Sequence, residues 1–132
     1  MTPEATGRYA CGRLNGAGCG GHMSSKALLV LTTCASPEDA SRLGKVLVEQ
    51  RLAACVNAVN NVASTYRWQG RLQQDLETLL VIKTTESRFA ALEQAIRTHS
   101  SYELPEVVAV AVHAGSLPYL DWLRESVAEL KD

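Results

Sequence analysis

The stretch "AACVNAVNNVASTYRWQGRLQQDLETLLVIKTT", residues 53–85, decides the fold. Cys55, Val56, Val59, Val62, Thr65, Tyr66 and Trp68 favour extended backbone. Gln69-Gly70 then supplies a turn with a residue free to adopt positive φ. The return leg alternates at Leu72, Leu76, Leu80 and Ile82, with Gln74 and Thr78 between them on the same face. At the usual rise per residue such a leg runs roughly 40 Å, more than a small domain needs for its own core. The tip of so long a hairpin projects. Aromatic residues near a projecting tip invite pairing with another subunit.

Upstream, "KALLVLTTC" (26–34) carries a short apolar run over Ala27 to Leu31, as in a strand buried on both faces. "SPEDASRLGKVLVEQRL" (36–52) reads as a helix. Ser36 caps it, Pro37 suits its first position, and Glu38 and Asp39 favour the positive end of its dipole. Ala40, Leu43 and Leu47 mark its apolar face, and Arg51 places a base at its end. Downstream, "TESRFAALEQAIRTHS" (85–100) is a second helix with Thr85 as cap and a stripe of Phe89, Leu92 and Ile96. "LPEVVAVAVHAG" (104–115) predicts a buried strand of Val107, Val108, Val110 and Val112, with Pro105 ahead of it where a missing N–H does least harm. "SLPYLDWLRESVAELKD" (116–132) predicts a third helix capped by Ser116. Leu120, Leu123, Val127 and Leu130 share one face, and Tyr119 and Trp122 another, a further sign of oligomerisation. The order β-α-β-β-α-β-α begins with the split pattern of an α+β, ferredoxin-like sandwich, βαββαβ, with an extra C-terminal helix. One face of such a sheet still needs cover, from the third helix or from neighbouring subunits.

The chain has 132 residues, 46% of them hydrophobic and 20% charged, with a formal net charge of -1: one domain, with no basic excess to attract nucleic acid. No apolar run is long enough to span a bilayer, and no secretory signal pattern opens the sequence, so cytoplasmic residence and no membrane partner are expected. Cys11, Cys19, Cys34 and Cys55 lack C-x-x-C spacing and are expected to be free thiols. Residues 1–24, rich in glycine and small polar residues, read as a flexible extension ahead of a domain at 25–132. "GHM" (21–23) resembles a cloning scar before a native start. The alternative is a genuine tail in which Cys11, Cys19 and His22 capture soft metals, although the spacing fits no structural zinc pattern.

Several stretches resemble the CutA-type divalent-cation tolerance family: "TTCASPEDA" (32–40), "LVEQRLAACVN" (47–57), "STYRWQGRL" (64–72), "LLVIKTT" (79–85), "THSSYELPEVVAV" (98–110) and "YLDWL" (119–123). The resemblance spans Leu28 to Val127 in the family's order. It implies a ferredoxin-like subunit in a tight homotrimer with long hairpins wrapping onto neighbours. It also implies an association with copper and other divalent cations in cellular metal tolerance. The family's shape resembles trimeric nitrogen-signalling regulators, which bind small ligands in clefts between subunits.

The resemblance places a cysteine at Cys34, just after the first strand, and a histidine-bearing segment at His99. A thiolate suits Cu(I) and imidazole suits Cu(II) or Zn(II), and a nearby helix N-terminus is expected to lower the thiol pKa. The bland readings are a small buried residue at a strand end for Cys34 and a helix C-terminal residue interacting with the dipole for His99. Family members often read His-Pro-Tyr-Glu where this chain reads "HSSYE" (99–103), so Ser100 and Ser101 rule out a two-histidine clamp there. Tyr102, Glu103 and Glu106 match the family and are candidates for a ligand cleft or for a hydrogen-bonded loop. Lys83, Arg67 and Trp68 suit either a cleft or packing. His113 reads as structural and Cys55 as a buried thiol. Cys34 with His99 has the parts for nucleophilic catalysis, yet no third orienting group is visible and "GAGCGG" (16–21) joins no strand to a helix. The expectation is therefore a non-enzymatic, copper-binding homotrimer. The alternatives are a trimeric signalling module with a small ligand at intersubunit clefts, and a rigid structural trimer presenting partner-binding surfaces.

Overall fold

A computed structural model describes residues 25–129 of the chain. The extension expected at 1–24, with its metal-capture alternative, and Leu130 lie outside the described residues. Strand β1 (Ala27–Cys34) leads to helix α1 (Pro37–Glu49), then to strands β2 (Cys55–Trp68) and β3 (Arg71–Thr85). A 3-10 turn (Glu86–Arg88) opens helix α2 (Phe89–His99), followed by strand β4 (Val108–Ala111) and helix α3 (Leu117–Ser126). The four strands form one antiparallel sheet in the order β2-β3-β1-β4, so the α+β sandwich expected from the element order is present in the single chain.

Side-chain alternation assigns the faces. Leu28, Val30, Leu80 and Ile82 turn toward α1 and α2, where they bury with Leu43, Leu47, Leu92 and Ile96 in one cluster. Helix α1 begins as its sequence dictates: the Ser36 hydroxyl accepts the Asp39 amide at 3.1 Å, and Pro37 follows. It ends earlier than its apolar period implies. Arg51, expected as a base at the helix end, sits beyond it at a φ of 59°. The amides of Arg51 and Leu52 return to the carbonyls of Val48 and Leu47 at 3.0 and 2.9 Å, a Schellman closure. The freed guanidinium reaches across to α3, where Nε donates to the Ala128 carbonyl at 3.1 Å and a terminal nitrogen to that of Glu125 at 3.3 Å. Arg51 therefore satisfies the carbonyls at the end of α3, not of α1.

Two other expected caps do not act. Thr85 has the extended backbone of a cap, but its hydroxyl pairs with that of Ser87 and makes no bond to a helix amide. Ser116 likewise stands at the start of α3 without a side-chain cap bond. The predicted buried strand is also corrected. Only Val108–Ala111 pair, on the open edge beside β1, and Val108 and Val110 are about half exposed (51% and 50%). Val107 packs on the core cluster from outside the strand. An edge strand with one uncovered face keeps its β-branched sequence without the burial that sequence implies. Helix α3 packs against β3 and β1, and its Leu123 and the Val127 that follows it are buried apart from the main cluster.

The hairpin is as long as its sequence requires, 14 residues out and 15 back. Its turn places Gln69 and Gly70 both at positive φ (52° and 79°), the arrangement that matches strand twist. One feature of β2 escapes the alternation: between Val59 and Val62 the register slips by a residue, with Asn61 at a φ of 60°. The Asn60 side chain accepts the Thr78 hydroxyl at 3.1 Å beside this bulge. Below the bulge, Val59 opposes Leu79; above it, Tyr66 opposes Gln73 and Trp68 opposes Arg71. Residues opposite one another share a face. The slip therefore moves even-numbered Ser64, Tyr66 and Trp68 onto the face of odd-numbered Asp75 and Glu77.

Candidate functional site

The bulge builds a site on the face of the sheet away from α1 and α2. From β2, the Tyr66 hydroxyl donates to Asp75 Oδ2 at 2.5 Å, a diagonal neighbour across the hairpin. From the segment between α2 and β4, the Tyr102 hydroxyl donates to Glu77 Oε2 at 2.5 Å. Ser100 ends α2 and its hydroxyl accepts the Tyr102 amide at 3.0 Å, which turns the chain and aims the phenol at β3. The serine that replaces an expected histidine thus positions a tyrosine. Both phenols are charge-assisted donors, and both are held above the ordinary tyrosine range. For Tyr66 the chief cause is the bond to Asp75; for Tyr102 it is burial, then the bond and charge of Glu77. Tyr66 and Asp75 also act on Tyr102, which makes the two pairs electrostatic neighbours.

Around them lies a cavity of about 750 Å³ between the hairpin and the 101–106 segment. Tyr66, Trp68, Glu77, Tyr102, Glu103 and Glu106 contribute to its wall. Of the cleft residues expected from the sequence, Trp68, Tyr102, Glu103 and Glu106 are brought together here. Lys83 is not: its ammonium donates to Asn57 Oδ1 at 2.7 Å near the base of the hairpin. Arg67 is absent from the cavity wall, and His113 is exposed beyond β4. Sequence reasoning missed Tyr66 as a site residue and missed Asp75 and Glu77 entirely. The signal was available, because carboxylates two apart on a strand share a face.

Cys34 and His99 meet at a second, much smaller cavity of about 10 Å³, with Thr32, Asp39 and Ser100 also on its wall. His99, the last residue of α2, holds its Nδ1 2.9 Å from the Ala95 carbonyl. A carbonyl only accepts, so Nδ1 is the donor in this contact. The expected thiol activation is reversed. Cys34 is buried in the core cluster and its pKa is pushed up to about 11, first by burial and then by the Asp39 and Glu77 carboxylates. The helix N-terminus nearby does not outweigh desolvation. Cys55 is half buried, its sulfur 3.9 Å from Asn57 Oδ1, so it is more open than the buried thiol expected. Among the described residues, no group of three or more His, Cys, Asp or Glu side chains is arranged to hold a metal ion. Cys34 and His99 do not complete such a site among these residues.

The CutA1 divalent ion tolerance protein family matches residues 28–126. A "Divalent-cation tolerance protein CutA" from Thermus thermophilus is 47% identical over 98 residues, 74% of this chain and 95% of that protein. Human "Protein CutA" is 36% identical over 112 residues, 85% of this chain but 63% of that one, so the chain spans only about three fifths of this longer relative. Among solved structures, the Thermus thermophilus divalent cation tolerance protein superposes with a TM-score of 0.76 at 45% identity, covering 77% of this chain and 99% of the other. CutA from Xylella fastidiosa gives 0.77 at 36%, covering 79% and 100%. The strands, the hairpin and the three helices are those of this fold, and the chain belongs to the CutA1 divalent ion tolerance family, a family of non-catalytic tolerance proteins.

Proposed function

We propose that the protein is a cytoplasmic homotrimer that binds divalent cations, copper first, as part of metal-ion tolerance. Family membership supports the tolerance role. The observation that carries the metal assignment is His99, whose ring is held by the Nδ1 contact to the Ala95 carbonyl beside the cavity it shares with Cys34. A ligating imidazole oriented through its other nitrogen is the usual arrangement in metal sites. The remaining ligands come from solvent or from a neighbouring copy. Exposed Leu72, Leu76, Val108 and Val110 support assembly, since a monomer gains nothing from presenting them. Calorimetric titration with copper tests the site. Binding lost in both His99→Ala and Cys34→Ser supports it, and unchanged binding in both removes the pair from the account. Cell fractionation tests the location, which matters because the related Archaeoglobus fulgidus structure is described as periplasmic.

A second reading is favoured by a separate observation. The 750 Å³ cavity is of the size that encloses small organic molecules, far larger than a cation requires. In that reading the protein is a signalling module and the cavity is its ligand site. Thermal shift against small-molecule mixtures distinguishes the two, because a metal site would leave the result indifferent to Trp68→Ala.

A further inference from the structure

We infer that the large cavity takes an organic cation of the alkylated-ammonium class. This rests on the second reading above, that the cavity is a ligand site, and adds the chemistry of its occupant.

The wall supplies three aromatic rings, Tyr66, Trp68 and Tyr102, and three carboxylates, Glu77, Glu103 and Glu106. Among the described residues that line it there is no lysine, arginine or histidine. Aromatic faces carry the negative end of a quadrupole and attract cations, most strongly where water is excluded. Both phenols donate their protons to carboxylates at 2.5 Å. A phenol that shares its proton with an anion leaves its ring richer in electrons and therefore a better partner for a positive charge. The rings are also fixed: Tyr66 by its bond to Asp75 on the neighbouring strand, and Tyr102 by its bond to Glu77 on β3 and by the amide bond to Ser100. Fixed aromatic walls reduce the entropy lost when a ligand is enclosed.

Three alternatives fit less well. An anion meets three carboxylates and no compensating base. A bare metal ion needs converging ligands, and no group of three His, Cys, Asp or Glu among the described residues is arranged to provide them. A neutral apolar molecule gains from the rings but draws the Glu103 and Glu106 carboxylates out of water without a counter-charge. A quaternary or alkylated ammonium satisfies both halves of the wall, with bulk to fill space that a metal ion leaves open.

The test uses the full chain and a matched pair of probes: choline and its uncharged carbon isostere, 3,3-dimethyl-1-butanol. Calorimetry and Trp fluorescence read binding. Choline is expected to bind at least ten-fold more tightly than the isostere. Trp68→Ala and Glu103→Gln are each expected to weaken choline at least five-fold while leaving circular dichroism unchanged, since both residues lie outside the core. Equal binding of the two probes overturns the cation assignment and leaves the cavity as a ligand site. No binding of either probe, with no thermal shift from any small-molecule mixture, overturns both. Choline binding that both substitutions leave intact overturns the placement in this cavity.

Discussion

The inner and outer halves of the hairpin follow one sequence rule and reach opposite ends. Along β3 the even-numbered residues keep one face throughout. Leu80 and Ile82 are fully buried beneath α1 and α2, whereas Leu72 and Leu76 on that same face are exposed at 70% and 66%. The apolar pattern outlasts the core of the chain. Burial near the helices stabilises this chain's own fold. Apolar residues exposed where no helix reaches are the surface on which the proposed contact with another copy rests. The opposite face tells the same story through polar groups, because its outer half carries the two phenol–carboxylate pairs and the cavity.

Substitutions that act on one half should spare the other. Leu80→Ala should cost about 2–5 kcal/mol in urea unfolding, the range for a filled core position. Leu72→Ala should cost under about 0.5 kcal/mol if the outer half stays in water. A larger loss that grows with protein concentration would mark cover by another copy. Thr84→Val comes next. The Thr84 hydroxyl donates to the Leu52 carbonyl at 2.7 Å in a fully buried setting, so about 1–3 kcal/mol should be lost on removing it. Tyr66→Phe removes an exposed bond in the outer half and should leave the unfolding midpoint nearly unchanged, while removing one of the two raised tyrosine titrations read by absorbance and leaving that of Tyr102.

Cys34 adds a pH dependence to the inner half. Its thiol is protonated up to about 11 in the folded state and to its ordinary value near 9.0 in the unfolded one. Between these values the folded chain holds the extra proton, so stability is full below pH 9 and declines as pH rises toward 11. Cys34→Ala should flatten that decline. Slow alkylation of Cys34 at pH 8 relative to half-buried Cys55 checks the same point by mass spectrometry.

How legible these halves were in the sequence follows from the physics of each. Ser36-Pro37 fixed one helix start because a hydroxyl three residues from a free amide has a local partner whatever the fold. The Gln69-Gly70 turn and the alternation of β3 were readable for the same local reason. The bulge was not. Val59, Val62 and Thr65 break the period of two, and only pairing with β3 tells where the extra residue sits. Tyr66 was lost with it, because its place beside Asp75 and Glu77 depends on the corrected register. Val108 and Val110 misled through composition, which records β-branching but not whether an edge strand is covered. Cys34 admitted two readings, a thiol activated by a helix start and a small buried residue, and only the packed fold shows that burial prevails. His99, Trp68, Tyr102, Glu103 and Glu106 were found, although the sequence did not say that they divide between two cavities.

The central claim is that the outer hairpin is built for contact beyond its own chain. Sedimentation equilibrium at micromolar concentration tests it directly. The account predicts a particle of three times the 14.3 kDa chain mass, reduced to one chain by Leu72→Lys combined with Leu76→Lys. A wild-type protein that sediments as a single 14.3 kDa chain would contradict it.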